Sequence, residues 1–292
     1  MIKNDLFCIP GGNISTETVN KIRNEITEFS KKNNINNAFA RHKPHLLIPS
    51  IYDLALDSKV LNDVENFVGE KCLAWYSVLF NKAKKTKAYI PWHYDDYFWN
   101  LKGNGCTVWV AVNDVNLDMG PMEFALDYNI QNLKHDVNND ENNILLRGNI
   151  ANYKPDNGIK IYNAPLKSGE YSIHSNKVMH RSGLNQSDND RLAFAIRYIS
   201  VNSIPSSFGL VKRGVVTNYN ISNFFYKEKK PKKVSDVFKN FQHTYSLVCS
   251  SFFTFFGDQN RNFKEKIEDM IKFIFSKKFI ELIFNNKKKS YK

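Results

Sequence analysis

Residues 170–199, EYSIHSNKVMHRSGLNQSDNDRLAFAIRYI, carry the pattern that decides the fold. Residues 170–174 and 192–199 are rich in aromatic and β-branched side chains and have the length of strands. The polar residues 183–190 between them are typical of a turn. Short strands separated by turn residues predict a β-sandwich or a barrel.

The turn at 183–190 predicts a hairpin, because it joins two strand-like runs over a short distance. Such a hairpin would bring Arg191, at the start of the returning strand, beside His180 and Ser182. One histidine, one hydroxyl and one arginine would then share a small region of the barrel.

The segment His93-Tyr94-Asp95 supplies the other half of a metal site. In a strand, side chains two residues apart point to the same face, so His93 and Asp95 can both reach one ion. With His180 as third ligand, two histidines and one carboxylate form the set that holds catalytic Fe(II) and leaves positions open for substrates and O2. Arg191 offers a fixed cation for a dicarboxylate co-substrate. The pattern predicts a non-heme iron oxygenase.

Other residues compete for these roles. We expect His174, on the strand before His180, to be a hydrogen-bonded interior residue near the site. Asp96 has the wrong parity to join Asp95. Arg197 shares a strand face with Arg191 but lies about 20 Å along the strand, so we expect a structural ion pair for it. We expect His42 and His45 to be packing or surface residues, and His135 and His243 to have surface roles.

Upstream of the strands, apolar residues at helical spacing predict two helices, over residues 16–32 and 58–68. Ser15 or Thr16 can cap the first helix, and Gly69 ends the second. Further strands are expected at residues 73–80 and 107–112.

Two segments have other patterns. Residues 126–165 are rich in Asn and Asp, which indicates either a lid over the site or an Asn-rich insertion. From about residue 235, apolar positions alternate with Lys and Glu at helical spacing. We expect this part to pack on the barrel or on a partner subunit; a basic amphipathic helix on a membrane is the other interpretation. The predicted division is an oxygenase domain at 1–234 and a basic helical extension at 235–292.

The composition excludes several classes of protein. With 42% hydrophobic and 14% aromatic residues, the chain is globular, and 292 residues suffice for one domain with decorations or an appendage. No apolar run has the length of a membrane span, and the first residues lack the apolar stretch of a signal peptide. The four cysteines have no metal or disulfide spacing. We therefore expect a reduced, cytoplasmic protein.

The chain is basic, with 41 Lys and Arg against 29 Asp and Glu, a net charge of +12. One interpretation is a polyanionic partner. We favour a compositional bias towards Lys, Asn and Ile, because much of the excess lies in solvated runs such as residues 226–233 and 287–289. The sequence has no motif typical of nucleic-acid binding, so we expect no nucleic-acid partner.

Several segments resemble, in order, those of the phytanoyl-CoA dioxygenase family. They are RHKPHLLIP (41–49), FNK (80–82), PWHYDDYFW (91–99), TVWVA (107–111), GPMEF (120–124), GEYSIH (169–174), HRSGLN (180–185) and DRLAFAIRY (190–198). The resemblance covers roughly residues 10–205. It implies a double-stranded β-helix, a jelly-roll or cupin-like barrel, that uses Fe(II), 2-oxoglutarate and O2, with ascorbate as an accessory reductant.

Carried over by position, the family's iron ligands fall on His93, Asp95 and His180. Its 2-oxoglutarate arginine falls on Arg191, with Ser182 beside it. Thr107 and Trp109 match positions that line the co-substrate pocket in some members.

Two features bear on the reaction. Residues 124–129 depart from the family's usual sequence near the mouth of the active site, so the substrate class is not implied by the resemblance. Related halogenases have Ala or Gly in place of the carboxylate ligand, so Asp95 favours hydroxylation.

The leading hypothesis is hydroxylation of a small molecule, with 2-oxoglutarate converted to succinate and CO2. The alternatives are a catalytically silent barrel that only binds, and a membrane- or polyanion-associated protein that acts through its basic C-terminus. The oligomeric state is left open by the sequence.

Overall fold

The structure is a computed structural model, and it describes residues 1–33, 41–99, 101–126, 133, 135–136, 140, 142–145, 149–150, 153, 158–205, 230–240 and 243. Over these residues the chain is mainly β. The α-helices are α1 (Thr16–Lys32), α2 (Pro49–Ala55), α3 (Ser58–Val68) and α4 (Asp96–Trp99). The strands are β1 (Ile2–Lys3), β2 (Phe7–Asn13), β3 (Cys72–Leu79), β4 (Ile90–His93), β5 (Leu101–Lys102), β6 (Gly105–Ala111), β7 (Met122–Ala125), β8 (His135–Asp136), β9 (Asn149–Ile150), β10 (Ile161–Ala164), β11 (Glu170–Ser175), β12 (Met179–Ser182), β13 (Ala193–Ser200) and β14 (Ile204–Pro205).

Two antiparallel sheets form the body of the fold. The larger sheet has the order β1-β2-β11-β6-β13-β3, and the smaller has the order β10-β7-β12-β4. Four strands match the expected ones at residues 73–80, 107–112, 170–174 and 192–199 to within two residues at each end. The predicted mainly β architecture is therefore confirmed.

The central strand β6 shows how the sequence divides the core. Val108 and Val110 point away from the smaller sheet and pack with the helices, whereas Trp109 and Ala111 point between the two sheets. This division follows from the alternation of side chains along a strand. Between the sheets, Phe7 stacks on Phe124 with ring centroids 4.9 Å apart.

Helices α1, α2 and α3 cover the outer face of the larger sheet. In α1 the buried residues are Val19, Ile22, Ile26 and Phe29, which is the apolar stripe that the sequence predicted. Ser15 caps this helix through its hydroxyl, which accepts a hydrogen bond from the backbone N–H of Thr18. Helix α3 ends at Gly69 in the left-handed conformation, as expected.

The prediction of a hairpin around residues 183–190 is wrong. Strand β12 pairs with β4 and β7 in the smaller sheet, and β13 pairs with β3 and β6 in the larger sheet. Because each strand already has two neighbours, neither has an edge available for the other. The turn instead carries the chain from one sheet to the other, and Arg191 still reaches Ser182 from there.

Half of the segment 126–165 lies outside the described residues, so its role as a lid stays a prediction. Its described end is not a loop, because β10 pairs with β7 and widens the smaller sheet. Further along, the backbone N–H of Ile144 donates to the carbonyl of Tyr89, just before β4.

The C-terminal segment at 230–240 packs on the N-terminal part of the chain. The backbone N–H of Ser235 donates to the carbonyl of Leu47, and that of Val237 donates to the side chain of Asn33. The predicted helical extension lies outside the described residues except for residues 235–240 and 243, so its helical character stays a prediction. None of the helices in the described ranges is long and apolar enough to span a membrane.

A glycine in the turn before β7 sets how closely the smaller sheet approaches the turn after β12. Gly120 has a φ of 62°, and a Cβ there would overlap the backbone carbonyls of Gly183 and Leu184. Gly69 also has a positive φ, of 79°, but a Cβ there would meet open space.

We expect Gly120→Ala to reduce the free energy of unfolding by clearly more than Gly69→Ala, as measured by urea denaturation. The Gly69→Ala control should lose about 1–2 kcal/mol, the cost of the left-handed conformation alone. Gly120→Ala adds a backbone overlap to that cost. Equal losses for the two variants would contradict the close approach.

Candidate metal centre

Two histidines face each other across the strand pair β4–β12. His180 is directly opposite His93 in the register of this antiparallel pair, and their ring centroids are 4.1 Å apart. Both side chains are buried. Opposed positions of neighbouring strands put both side chains on the same face, so the pairing alone brings the two imidazoles together.

Asp95 joins them by a different route from the one expected. The sequence predicted His93 and Asp95 on one strand, but β4 ends at His93, and Asp95 lies in the turn before α4. The backbone N–H of Trp99 donates to the carbonyl of Asp95, so the first turn of α4 fixes the backbone here. The Oδ1 atom of Asp95 is nevertheless 4.0 Å from the Nε2 atom of His93.

The three side chains offer one ligand atom each, and these atoms lie within 4.8 Å of one another. The Nδ1 atom of His93 is 2.9 Å from the carbonyl of Pro91, and that of His180 is 3.0 Å from the carbonyl of Val178. A carbonyl only accepts, so each Nδ1 carries the proton and each Nε2 keeps its lone pair. This is how metal-binding histidines are normally oriented.

The set of two imidazole nitrogens and one carboxylate oxygen, all buried, fits a divalent transition metal such as Fe(II). Over the described part of the chain, this is the group of His, Cys, Asp and Glu side chains that the structure brings close enough to share an ion. His93 and Asp95, predicted from one segment of the sequence, and His180, predicted from another, do converge.

The carboxylate of Asp95 is held from both sides. Its Oδ1 accepts from Arg197 Nη2 at 3.2 Å, and its Oδ2 accepts from the hydroxyl of Thr107 at 3.1 Å. Burial tends to raise the pKa of Asp95, but Arg197 and the neighbouring histidines outweigh it and hold the pKa below its usual value. The carboxylate is therefore charged at neutral pH. The predicted ion pair of Arg197 is confirmed, and its partner is a candidate ligand.

Burial lowers the pKa of His180, and the charge of Asp95 opposes this effect only in part. The imidazole is accordingly neutral at pH 7, as a metal ligand must be. His174 lies beside it, with ring centroids 4.8 Å apart. Neither ring nitrogen of His174 has a hydrogen-bond partner within the described ranges, so the hydrogen bond expected for His174 is absent there.

A second polar cluster lies one step further along β12. The guanidinium of Arg191 is buried and donates to the hydroxyl of Ser182 at 2.7 Å, to the carbonyl of Gly120, and to the carbonyl of Phe80 at 3.2 Å. It also lies over the ring of Trp109, 5.3 Å from its centroid. The predicted residues Arg191, Ser182 and Trp109 are thus in one place, whereas Thr107 lies at Asp95.

Sequence reasoning missed one member of this cluster. The Nζ atom of Lys82 is 2.8 Å from the hydroxyl oxygen of Ser182 and donates to the carbonyls of Ser182 and Gly183. Burial, followed by the charge of Arg191, lowers the pKa of Lys82 to about 5. Its inward orientation could have been predicted from the alternation of side chains along a strand, because Lys82 follows Val78 and Phe80 at spacings of two residues.

The competing residues have other partners. His45 is buried and pairs with the hydroxyl of Ser77 at 2.6 Å, and the partly buried His42 pairs with the hydroxyl of Tyr76 at 3.1 Å, which agrees with the packing or surface role expected for each. Asp96 accepts from the amide of Asn176. His243 was expected on the surface, but it is buried against the carbonyl of His42 because residues 230–240 fold back over this region. The side chain of His135 lies outside the described residues.

Comparison with known proteins gives a family and a set of similar folds. The family model for phytanoyl-CoA dioxygenase matches residues 7–193. Among solved structures, the non-heme monooxygenase ThoJ in its apo form has a TM-score of 0.63 at 19% identity, covering 91% of this chain and 95% of that one.

The non-heme α-ketoglutarate-dependent epimerase SnoN of nogalamycin biosynthesis has a TM-score of 0.53 at 15% identity, covering 78% of this chain and 90% of that one. EctD from S. alaskensis, solved with 2-oxoglutarate and 5-hydroxyectoine, has a TM-score of 0.51 at 15% identity, covering 67% of this chain and 72% of that one. No curated protein matches the chain in sequence. Because the family model spans more than half of the chain, including the site described above, the chain belongs to the phytanoyl-CoA dioxygenase family, a family of dioxygenase enzymes.

Proposed function

We propose that the chain is an Fe(II)- and 2-oxoglutarate-dependent oxygenase that hydroxylates a small organic molecule. The observation that carries the proposal is the convergence of His93, Asp95 and His180, with their ligand atoms within 4.8 Å of one another. Buried side chains of this kind, with no apolar packing role, are expensive to keep together without an ion.

The second cluster supplies the place for the co-substrate. Ser182 lies two residues beyond His180 on β12, which is about 7 Å along the strand and on the same face. A five-carbon dicarboxylate can therefore reach from the metal centre to Ser182, Arg191 and Lys82. Arg191 offers a planar, charged donor for the far carboxylate, and the Ser182 hydroxyl and the Lys82 amine add further donors.

Charge balance supports this assignment. Arg191 and Lys82 are buried next to each other, and burial with the charge of Arg41 lowers the pKa of Arg191 to about 9. None of the hydrogen bonds of the two side chains goes to a carboxylate of the described residues. A buried guanidinium next to a buried amine, neither hydrogen-bonded to a carboxylate, forms a site that a carboxylate ligand would stabilise.

When bound, a ferrous ion would supply the redox chemistry, in which 2-oxoglutarate, O2 and a substrate C–H become succinate, CO2 and an alcohol. The residues of the chain bind, orient and exclude water. His93, Asp95 and His180 would hold the ion, and Arg191 with Ser182 and Lys82 would orient the co-substrate. Thr107 would hold Asp95. The carboxylate of Asp95 favours hydroxylation over halogenation.

The proposal includes three features of the fold: a double-stranded β-helix, a co-substrate pocket lined by Trp109, and a division into a domain and an extension. Two facing antiparallel sheets, with the site between β4, β12 and the larger sheet, are consistent with a double-stranded β-helix. Trp109 would line the co-substrate pocket beneath Arg191. The division into an oxygenase domain at 1–234 and an extension at 235–292 remains part of the proposal.

A silent binding barrel is the competing function, and the intact ligand set argues against it. Incubation with Fe(II), O2, ascorbate and 2-oxoglutarate, in the presence of a metabolite panel, should yield succinate and a product heavier by one oxygen, detected by mass spectrometry. Absence of succinate with and without the panel would favour the silent barrel. A polyanion- or membrane-bound role would act through the basic C-terminus, of which the structure describes residues 230–240 and 243.

We expect the protein to bind one divalent ion. His180→Ala should weaken that binding by about 100-fold or more, because losing a ligand costs at least as much affinity as losing a hydrogen-bond partner of a ligand. Calorimetric titration with Co(II) measures it. His174→Ala is the matched control, since His174 adjoins His180 but does not belong to the ligand group. Equal affinities of the wild type and His180→Ala would contradict the assignment.

Arg191→Gln should raise the KM for 2-oxoglutarate by roughly 10- to 100-fold, because a bidentate charged contact is lost. The affinity for Co(II) should stay at the wild-type value, since Arg191 contacts none of the three ligands. Arg23→Gln is the control, because Arg23 lies on α1 and donates to the carbonyl of Val112 and the hydroxyl of Ser168 rather than to Ser182. An unchanged KM for 2-oxoglutarate would overturn the role of Arg191.

The pKa of Lys82 predicts proton uptake when 2-oxoglutarate binds. With a pKa of about 5, the amine is neutral at pH 7.5 in the ligand-free protein, and an adjacent carboxylate favours its charged form. Binding in the absence of O2 should therefore take up close to one proton at pH 7.5, and less as the pH falls towards 5. Calorimetry in buffers of different ionisation enthalpy measures the uptake. Lys82→Met should abolish it, and uptake that persists in this variant would contradict the assignment.

A further inference from the structure

Three side chains form a row across the larger sheet at the level of the metal centre. His174 of β11 is opposite Thr107 of β6, and Thr107 is opposite Arg197 of β13. All three lie on the face that is turned to the smaller sheet, where His93, Asp95 and His180 converge. The larger sheet thus presents a hydroxyl and a guanidinium to Asp95.

Arg197 and Thr107 each hold one oxygen of the same carboxylate. Arg197 Nη2 is 3.2 Å from Oδ1, and Thr107 Oγ1 is 3.1 Å from Oδ2. Oδ1 is also the oxygen that lies 4.0 Å from His93 Nε2. With both oxygens held, the carboxylate cannot rotate about its own axis without breaking a hydrogen bond.

The ion pair is shielded from water and its cation is fixed in place. The side chain of Asp95 is 3% exposed and that of Arg197 is 19% exposed. The guanidinium lies over the rings of Tyr76 and Trp99, 5.9 Å and 5.4 Å from their centroids. Aromatic faces attract such a cation and limit its movement. Arg197 therefore holds the carboxylate of Asp95 in one position, although the backbone of Asp95 lies in a turn.

We propose that Arg197 is a positioning residue of the metal centre, holding Asp95 so that the carboxylate presents one oxygen to the ion. The inference rests on the proposed function and extends it to a residue outside the ligand set. Arg197 and Thr107 belong to the larger sheet, whereas His93 and His180 belong to the smaller sheet. Through Arg197, the larger sheet fixes the third ligand relative to the two histidines.

The test is the binding of Co(II), whose visible absorption reports the ligands around it. Arg197→Met keeps an apolar side chain of similar length between Tyr76 and Trp99 but removes the donor to Asp95. We expect 10- to 100-fold weaker binding of Co(II), the usual effect of removing a partner of a metal ligand, and a changed absorption spectrum. A merely structural role would lower the melting temperature and leave the spectrum of the bound ion unchanged.

Arg181→Met is the matched control. Arg181 also forms an ion pair, with Glu123 at 2.8 Å, and its guanidinium also lies over a tryptophan, Trp92. Its side chain is 41% exposed and makes no contact with Asp95. We expect wild-type affinity and spectrum for this variant.

The outcomes separate the inference from the proposed function. Wild-type protein that fails to bind Co(II) would contradict the metal centre itself. Wild-type binding together with an unchanged affinity and spectrum in Arg197→Met would overturn the role of Arg197 alone. If circular dichroism shows that Arg197→Met does not fold, Arg197→Gln, which removes the charge and has a shorter side chain than arginine, carries the same direction of change and the same contrary outcome.

Discussion

The pairing of β12 with β4 is the constraint on which the site depends. It puts His180 opposite His93, with ring centroids 4.1 Å apart. A shift of this register by one residue would point one imidazole to the other face of the smaller sheet. The register is protected by the neighbouring pair, in which His180 is also opposite Phe124, a buried residue that stacks on Phe7 of the larger sheet. Packing between the sheets thus maintains the geometry of the two histidines.

The same strand β12 links the metal centre to the second polar cluster, which consists of Ser182, Arg191 and Lys82. His180 and Ser182 point to the same face, and Ser182 accepts from both Arg191 and Lys82. Burying two cations side by side opposes their charged forms, which is why the pKa of Lys82 falls to about 5. Binding of a dianionic co-substrate would stabilise the charged forms of both side chains. The cluster and the ligand set are therefore best understood as two ends of one site.

Asp95 differs from the two histidines in how it is placed. The histidines are fixed by strand pairing, whereas Asp95 lies in a turn and is fixed by side chains from the opposite sheet. Thr107 and Arg197 come from neighbouring strands, so their spacing is set by the backbone of β6 and β13. The site therefore requires both sheets, and neither sheet alone contains all of its geometry.

Much of the fold and of the ligand set could be predicted from the sequence, because those features are local or chemically distinctive. Helix α1 follows from its apolar stripe and its serine cap, and the strands follow from short apolar runs between turns. His93, Asp95 and His180 could be named because few residue types bind Fe(II) and their spacing is specific. The hairpin after Ser182 could not be predicted correctly, since a turn of that length is compatible with either a hairpin or a crossing between sheets. Lys82 was missed because an isolated lysine after a strand is usually solvated.

The sequence by itself determined which residue types were available: two histidines, a carboxylate, an inward-facing arginine and the alternation that buries them. The tertiary structure decided which of these residues meet. Asp95 reaches the histidines through a turn, Arg197 pairs with Asp95 although about 100 residues separate them, and His174 stays outside the ligand group although it lies beside His180. Such contacts join strands that are distant in the chain, and their distances depend on how two sheets pack. Local spacing carries no information about that packing.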